Sequence, residues 1–135
     1  MSNIVNLNIN ALDRICVSAH IAHMPWHVTF HPEMAEDFET FSREVRIALA
    51  ATLRLLEASG PTLGRPTVDT LKGSKVANLK ELRFAADGGV WRVAFAFDGQ
   101  RVAVLLAGGD KAGVSEARFY RTLIAKAEQR WRTWE

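Results

Sequence analysis

The sequence predicts an α+β fold in which a small antiparallel sheet packs against an N-terminal helical hairpin and a C-terminal helix. Three observations favour this fold class. Apolar residues recur at spacings of three and four over residues 33–58, as in an amphipathic helix. Apolar and polar residues then alternate at 79–84 and 91–97, as in strands. Helical spacing returns after Ser115.

The length of 135 residues is typical of one domain. We therefore expect a single domain over residues 1–135, with an N-terminal extension at 1–25 and a core at about 26–131. Met24 could serve as an alternative start. On that basis we expect residues 1–23 to be dispensable.

Histidine and cysteine usage predicts neither a metal site nor a disulfide. The one cysteine, Cys16, has no partner in the chain for a disulfide. No carboxylate or cysteine lies at helical spacing among the four clustered histidines, which are His20, His23, His27 and His31. The chain has no apolar run near the roughly 18 residues of a membrane span, and no secretory signal. We expect a cytoplasmic protein without a cofactor or metal.

The first elements of the core are predicted to be a strand and two helices. Large apolar and polar residues alternate over Trp26–Phe30, which indicates a strand. Pro32 then suits the first turn of a helix, where its missing N–H costs nothing. Ser42 is a plausible internal N-cap, so we expect two helices at roughly 33–41 and 43–58.

Three strands are predicted to follow. A short extended segment at Val68–Gly73 leads to a strand at Leu79–Phe84. The next strand covers Trp91–Phe97, and the Asp98-Gly99 turn brings the chain back as an antiparallel strand at Val102–Ala107. This last strand is apolar on both faces, so we expect it to be central.

A flexible loop at Gly108–Gly113 precedes the final helix, which Ser115 is predicted to cap. Its apolar positions follow helical spacing and are Phe119, Leu123, Ala127, Trp131 and Trp134.

Charge is distributed unevenly along the chain. Residues 1–59 hold four Lys/Arg and seven Asp/Glu, a net of −3, and residues 60–135 hold thirteen and eight, a net of +5. The later half could therefore present a positive face to a polyanion. An ordinary solvated surface is the alternative.

One constellation on the predicted sheet indicates chemistry. If the strand register permits, alternation places Glu81, Arg83 and Arg92 on the same solvent-facing side of neighbouring strands, while Ala94 and Ala96 leave room above the sheet. A carboxylate among cations is what phosphodiester cleavage requires. The alternative is an ordinary salt-bridged sheet face.

Short segments in a fixed order carry a family resemblance. They are Trp26-x-Val-x-Phe-His-Pro-Glu33, Leu63–Pro66, Leu71–Gly73, Leu79–Phe84, Trp91–Val93, Gly109–Lys111 and Phe119–Arg121. Together they resemble the HigB-like, phage-derived branch of the RelE/ParE superfamily of type II toxin–antitoxin toxins, over residues of about 26–131. No segment is specific alone, and their joint order makes the match.

The resemblance implies a RelE-like fold that enters the ribosomal A site and cuts messenger RNA there without metal, by attack of a ribose 2′-hydroxyl on its phosphate. It also implies a cognate antitoxin, which we expect to be a helix-turn-helix protein encoded next to the toxin. Ribosome and messenger RNA are the other implied partners, and no membrane is involved.

The same resemblance implies roles for individual residues. Arg83 and Arg92 match basic strand positions and would hold phosphate oxygens. Glu81 would be the candidate general base, at a position where the family carries either lysine or glutamate. Lys111 would contact the scissile region. Tyr120 would stack on a base or act on the leaving oxygen, or else be an ordinary half-buried helix tyrosine.

Three further residues are implied to bind RNA or phosphate. Arg118 and Arg121 would hold phosphate backbone or ribosomal RNA. Lys80 would reach a phosphate only if its strand is bulged. The chain lacks the lysine pairs that better-known members carry on the second strand, and its loop between Lys111 and Tyr120 is longer.

Two other functions fit the same resemblance. One is a toxin like those of the ParE side of the superfamily, which binds DNA gyrase and needs no catalytic base. The other is a toxin-like fold that serves only as a binding partner.

Overall fold

The structure, a computed structural model, describes residues 25–134. Expectations that concern residues 1–24, including those on Cys16, His20, His23 and the alternative start, lie outside this range. In chain order the elements are β1 (His27–Phe30), α1 (Pro32–Thr40), α2 (Arg43–Ser59), a 3-10 turn (Gly60–Thr62), β2 (Val68–Thr70), β3 (Lys80–Ala86), β4 (Gly89–Phe97), β5 (Val102–Asp110) and α3 (Glu116–Arg132).

Side-chain caps separate the two helices of the N-terminal hairpin. The His31 imidazole accepts a hydrogen bond from the Glu33 backbone N–H at the start of α1. The Ser42 hydroxyl accepts one from the Val45 N–H at the start of α2. These contacts satisfy donors that a helix start leaves unpaired. The prediction of two helices with Ser42 between them is confirmed.

The five strands form one sheet in the order β1-β5-β4-β3-β2. Strands β2 to β5 pair antiparallel with their neighbours, whereas β1 runs parallel to β5. The predicted α+β fold, with a small sheet between the N-terminal hairpin and the C-terminal helix, is confirmed, and the sheet is mixed because β1 runs parallel to β5. The apolar strand β5 lies between β1 and β4, as its two apolar faces predicted.

Each face of the sheet carries its own core. The hairpin packs on one face over a cluster that includes Leu82, Val93 and Phe95. On the other face α3 packs over Ala94 and Ala96, which are 0% and 1% exposed. The expectation that these alanines leave room above the sheet is wrong. Their small side chains let the helix approach instead.

The C-terminal part of α3 is tied to the rest of the protein by a buried arginine. Arg130 Nη1 donates to the Leu106 carbonyl and to Asp37 Oδ2, each at 2.8 Å. Close by, His31 Nε2 and Thr133 Oγ1 are hydrogen-bonded at 2.8 Å. These contacts join α3 to β5 and to α1, and they fix how the helix lies across the sheet. Within residues 25–134, no helix is long and apolar enough to cross a membrane.

Candidate functional site

An open cleft of about 510 Å³ lies at the β2–β3 side of the sheet, under the first turns of α3. Strands β2 and β3 form its base, and the loops after β2 and β5 form its rim. The lining residues are mostly charged or polar, and they are Arg65, Asp69, Thr70, Leu71, Lys72, Glu81, Arg83, Lys111, Glu116 and Tyr120. Four of the five residues predicted to be catalytic therefore line one cleft.

The strand register accounts for this meeting of side chains. Arg83 on β3 is paired directly with Arg92 on β4, so the two side chains leave the same face of the sheet. Glu81 is two residues before Arg83 and shares that face. The prediction that the three lie on one side is confirmed. Their exposure to solvent is not, because Glu81 and Arg92 are only 5% and 6% exposed.

Tyr120 on α3 covers the two buried charges and forms hydrogen bonds with both. Its hydroxyl donates to Glu81 Oε1 at 2.8 Å and accepts from Arg92 Nε at 3.2 Å. Arg92 Nε also lies 3.7 Å from Glu81 Oε1, and its Nη1 donates to the Trp91 carbonyl at 2.9 Å. We call these three side chains the Glu81–Tyr120–Arg92 network. Arg92 does not line the cleft and acts from beneath it.

Burial changes the proton affinities within this network. Loss of water raises the pKa of Glu81, and the Tyr120 hydrogen bond and the Arg92 charge only partly oppose the effect. Burial and the hydrogen bond to Glu81 raise the pKa of Tyr120. The phenol therefore keeps its proton at neutral pH, while the carboxyl binds a proton more readily than an exposed glutamate does.

Arg83 is the cation placed to bind an anion in the cleft. It is partly exposed, and none of the ion pairs within residues 25–134 includes it. In the described part of the chain, its positive charge thus lines the cleft near Asp69 and Glu81 without an ion pair to either. A guanidinium in this state can bind two phosphate oxygens through its fixed donors.

The loop after β5 fixes Lys111 on the opposite side of the cleft. The Lys111 N–H donates to the Val90 carbonyl at 2.8 Å. Its Nζ lies 3.4 Å from Glu116 Oε1 and 5.7 Å from the centre of the Tyr120 ring. The ammonium group is therefore held near the phenol, and the exposed carboxylate that it contacts is a weak competitor for an incoming phosphate.

The loop after β2 contributes Lys72 and is fastened to α3. Glu128 accepts hydrogen bonds from the Ser74 hydroxyl at 2.9 Å and from the Lys75 N–H at 2.6 Å. The bond from the Lys75 N–H is the main cause of the lowered pKa of Glu128. This ionised carboxylate keeps the loop against the helix, and with it the position of Lys72 at the rim.

The cleft also contains residues to which sequence reasoning gave no chemistry. Asp69 on β2 is paired directly with Glu81 on β3. Arg65 donates to Asp69 Oδ2 from Nε at 3.1 Å and from Nη2 at 2.8 Å. The spacing of four residues between them was a signal for an ion pair, but only the β2–β3 register places that pair beside Glu81.

Three residues predicted to bind RNA or phosphate lie outside this cleft. Lys80 starts β3 on the face opposite Glu81 and lines a separate groove with Leu63 and Gly64. The β3 pairings show no register shift, so the bulge on which its phosphate contact depended is absent from the β3 pairings described. Arg118 and Arg121 are exposed on α3 and are not among the lining residues.

The histidines described by the structure have other surroundings. His31 caps α1 and contacts Thr133, while His27 is exposed on β1.

Comparisons with known proteins give a consistent result. The family profile described as "Phage derived protein Gp49-like" matches residues 36–132. A protein of Mycobacterium tuberculosis (strain H37Rv) named as toxin HigB3 is 44% identical over 103 residues, which cover 76% of this chain and 88% of that protein. Toxin HigB2 of the same organism is 47% identical over 72 residues, covering 53% of this chain and 36% of that longer protein.

A solved structure shows the same fold. It is a doubly substituted form of the E. coli toxin RelE in the free state, with a TM-score of 0.54 and 15% identity. The match covers 76% of this chain and 97% of that one. The hairpin, the sheet and the C-terminal helix are thus an arrangement that RelE shares.

Proposed function

The chain belongs to the phage-derived Gp49-like family and is a RelE/HigB-like toxin of a toxin–antitoxin system, and we propose that it is a ribosome-dependent messenger-RNA endonuclease. The observation that carries this proposal is the cleft itself. It sets Arg83, a cation that forms no ion pair within residues 25–134, beside a buried carboxyl whose pKa is raised and a phenol that keeps its proton.

The proposed reaction is attack of a ribose 2′-oxygen on the adjacent phosphorus, with departure of the 5′-oxygen. The 2′-hydroxyl proton passes to Glu81, and Tyr120 donates its proton to the 5′-oxygen and regains one from Glu81 through their hydrogen bond. The products are a 2′,3′-cyclic phosphate and a free 5′-hydroxyl. This route needs no metal, since the base, the acid and the cations all come from the chain.

The cations have separate roles in this proposal. Arg83, Lys111 and Lys72 stabilise the negative charge that develops on the phosphorane oxygens. Arg92 is too buried for such a contact, so we assign it a positioning role in which it orients the Tyr120 hydroxyl and compensates Glu81. Arg118 and Arg121, exposed on α3, would contact ribosomal RNA and add a salt-sensitive part to binding.

The relatives imply an antitoxin partner for this toxin. We further propose that this antitoxin is a helix-turn-helix protein encoded next to the toxin. The ribosome and messenger RNA are the other proposed partners, and the cytoplasm is the proposed site of action.

The test is to produce the full chain in bacteria without its partner and to map the ends of cellular messages. Translation should stop, and messages should carry new 5′-hydroxyl ends. In a purified system the same cuts should require ribosomes. Arg83→Gln should abolish most cutting, whereas Arg54→Gln, an exposed arginine on α2, should leave it intact. Intact messages together with DNA damage would refute the nuclease and favour binding to gyrase.

A further inference from the structure

Two carboxylates lie directly opposite each other in the cleft. Asp69 on β2 and Glu81 on β3 are register partners, and both side chains line the cavity. Opposite positions of an antiparallel pair bring Cβ atoms to about 4.5–5.5 Å, and like charges there repel. One of the two carboxylates therefore needs a compensating cation for both to ionise.

Arg65 provides that cation to Asp69 alone. Its Nε and Nη2 both donate to Asp69 Oδ2, and the Thr70 N–H donates to Oδ1 at 2.9 Å. The hydrogen bond from Arg65 is the main cause of the lowered pKa of Asp69. Burial is the main cause of the raised pKa of Glu81, and the nearby Asp69 charge adds a smaller rise, which the Tyr120 hydrogen bond and the Arg92 and Arg83 charges oppose. The cleft thus holds two carboxyl groups whose surroundings separate their proton affinities, a pattern typical of acid–base pairs in catalysis.

We propose that Arg65 and Asp69 are positioning residues for RNA cleavage, because their ion pair lies across the β2–β3 register from Glu81 and its balance of charge shifts the pH at which Glu81 exchanges its proton. The catalytic meaning of this inference rests on the proposed function. The electrostatic coupling between the ion pair and Glu81 does not, and it can be measured without RNA.

Other charged and titratable groups also face Glu81 from the surrounding elements. They are Arg92 on β4, Arg83 on β3, Tyr120 and Glu116 on α3, Lys111 after β5 and Lys72 after β2. Arg92 and Tyr120 are in contact with Glu81, so replacing them also disturbs packing. Arg65 and Asp69 are more exposed, with side chains 76% and 29% exposed, and their charges can be changed with less structural cost.

The signs of the expected shifts follow from Coulomb's law. Asp69→Asn removes a negative charge and leaves Arg65 uncompensated, and both changes lower the pKa of Glu81. Arg65→Gln leaves the negative charge of Asp69 uncompensated, and this change raises the pKa of Glu81. The double variant removes both charges and should return the Glu81 midpoint close to that of the native protein. An ion pair without electrostatic coupling to Glu81 would produce no such opposed shifts.

The direct experiment is a ¹³C NMR titration of the Glu81 carboxyl in the full chain and in these three variants. The expected result is a lower midpoint in Asp69→Asn, a higher one in Arg65→Gln and near restoration in the double variant. Asp87→Asn is the matched control, since Asp87 is exposed in the β3–β4 turn at a φ of 53° that asparagine tolerates. Equal midpoints in Asp69→Asn and Arg65→Gln would overturn the proposal.

The second experiment is the pH profile of message cleavage on ribosomes with the same variants. The limb of the profile that reports Glu81 should move with the NMR midpoint, so that the cleavage rate at a pH on that limb changes severalfold. Added salt should weaken this effect, because the Arg65–Asp69 pair is exposed. If the pH profile of cleavage stayed the same while the NMR midpoint of Glu81 shifted, the positioning role would be overturned. Opposed NMR shifts in a protein that cuts no RNA would instead contradict the proposed function and leave the coupling standing.

Discussion

Two buried arginines pack near opposite ends of α3, Arg130 on the helix itself and Arg92 on β4 beneath its first turns, and their charges have different partners. Arg130 at the C-terminal end is 7% exposed and donates to a backbone carbonyl and to Asp37. Arg92 at the N-terminal end is 6% exposed and contacts Tyr120 and Glu81. Burial of a charge is common to both, so burial alone does not mark a site.

The difference lies in the space beside each arginine. The partners of Arg92 line an open cleft with Arg83 and Lys111, whereas Asp37 and Leu106, the partners of Arg130, are not among the residues that line it. We therefore interpret the Arg130 contacts as structural and the Glu81–Tyr120–Arg92 network as part of the proposed cleavage site. Substitutions that affect stability and cleavage separately test this distinction.

The largest effect is expected from Glu81→Gln. The glutamine amide can still accept the Tyr120 hydrogen bond, but it cannot accept the 2′-hydroxyl proton as a carboxylate does. Loss of a general base should reduce single-turnover cleavage on ribosomes by about 10²–10⁴-fold. A variant that cuts at the native rate across the pH range would remove Glu81 from proton transfer. Thermal unfolding of the same sample shows whether the fold is retained.

Arg83→Gln should lower the cleavage rate by about 10²-fold, as when one donor to a developing oxyanion is lost. Because Arg83 makes no ion pair within the described part of the chain, the free energy of unfolding should change by less than about 0.5 kcal/mol. Both are measured on one preparation, by message cleavage and by urea denaturation. Equal losses in stability and activity would show that Arg83 is part of the scaffold.

Arg130→Ala should have the opposite profile. It leaves the Leu106 carbonyl without its donor and Asp37 without its cation, which should cost about 2–3 kcal/mol of unfolding free energy. Arg132→Ala, an exposed neighbour, is the control for loss of charge. Cleavage per folded molecule should stay near the native value. If the fully folded variant cleaved messages much more slowly than the native protein, Arg130 would instead belong to the cleavage site.

The smallest effect concerns stability and pH. The pKa of Glu81 is raised above its ordinary value of 4.5 in the folded protein, so the folded state binds more protons than the unfolded chain just above that pH. The contribution of Glu81 to stability is complete below pH 4.5 and is lost as pH rises through the folded pKa. Urea denaturation across this window should show it, and Glu81→Gln should remove it. If the contribution of Glu81 to the free energy of unfolding instead increased with pH, the raised pKa of Glu81 in the folded protein would be contradicted.

Local patterns predicted the elements and the shared face of the site. The cap at Ser42 separated the two helices, and alternation placed Glu81, Arg83 and Arg92 on one side of the sheet. Periodicity did not reveal how deep each side chain lies. Ala94 fits a solvent-facing position and a position under a helix equally well, and the structure places it under α3.

Long-range pairing was the other part that the sequence did not specify. Strand β1 has four residues, too few to indicate that it runs parallel to β5. The three residues of β2 likewise gave no register, so the position of Asp69 opposite Glu81 could not be foreseen. Side-chain burial and cross-strand register depend on the whole assembly of elements rather than on neighbours in sequence.

The path of α3 has a practical consequence for anyone who wishes to disarm this toxin. Tyr120 lies in α3 and Thr133 caps the C-terminal end of that helix, thirteen residues further on, a distance of about 20 Å. We expect a small molecule that separates Thr133 from His31 to shift α3 and to move the Tyr120 hydroxyl away from Glu81. Inhibitor searches need not be aimed at the highly charged cleft.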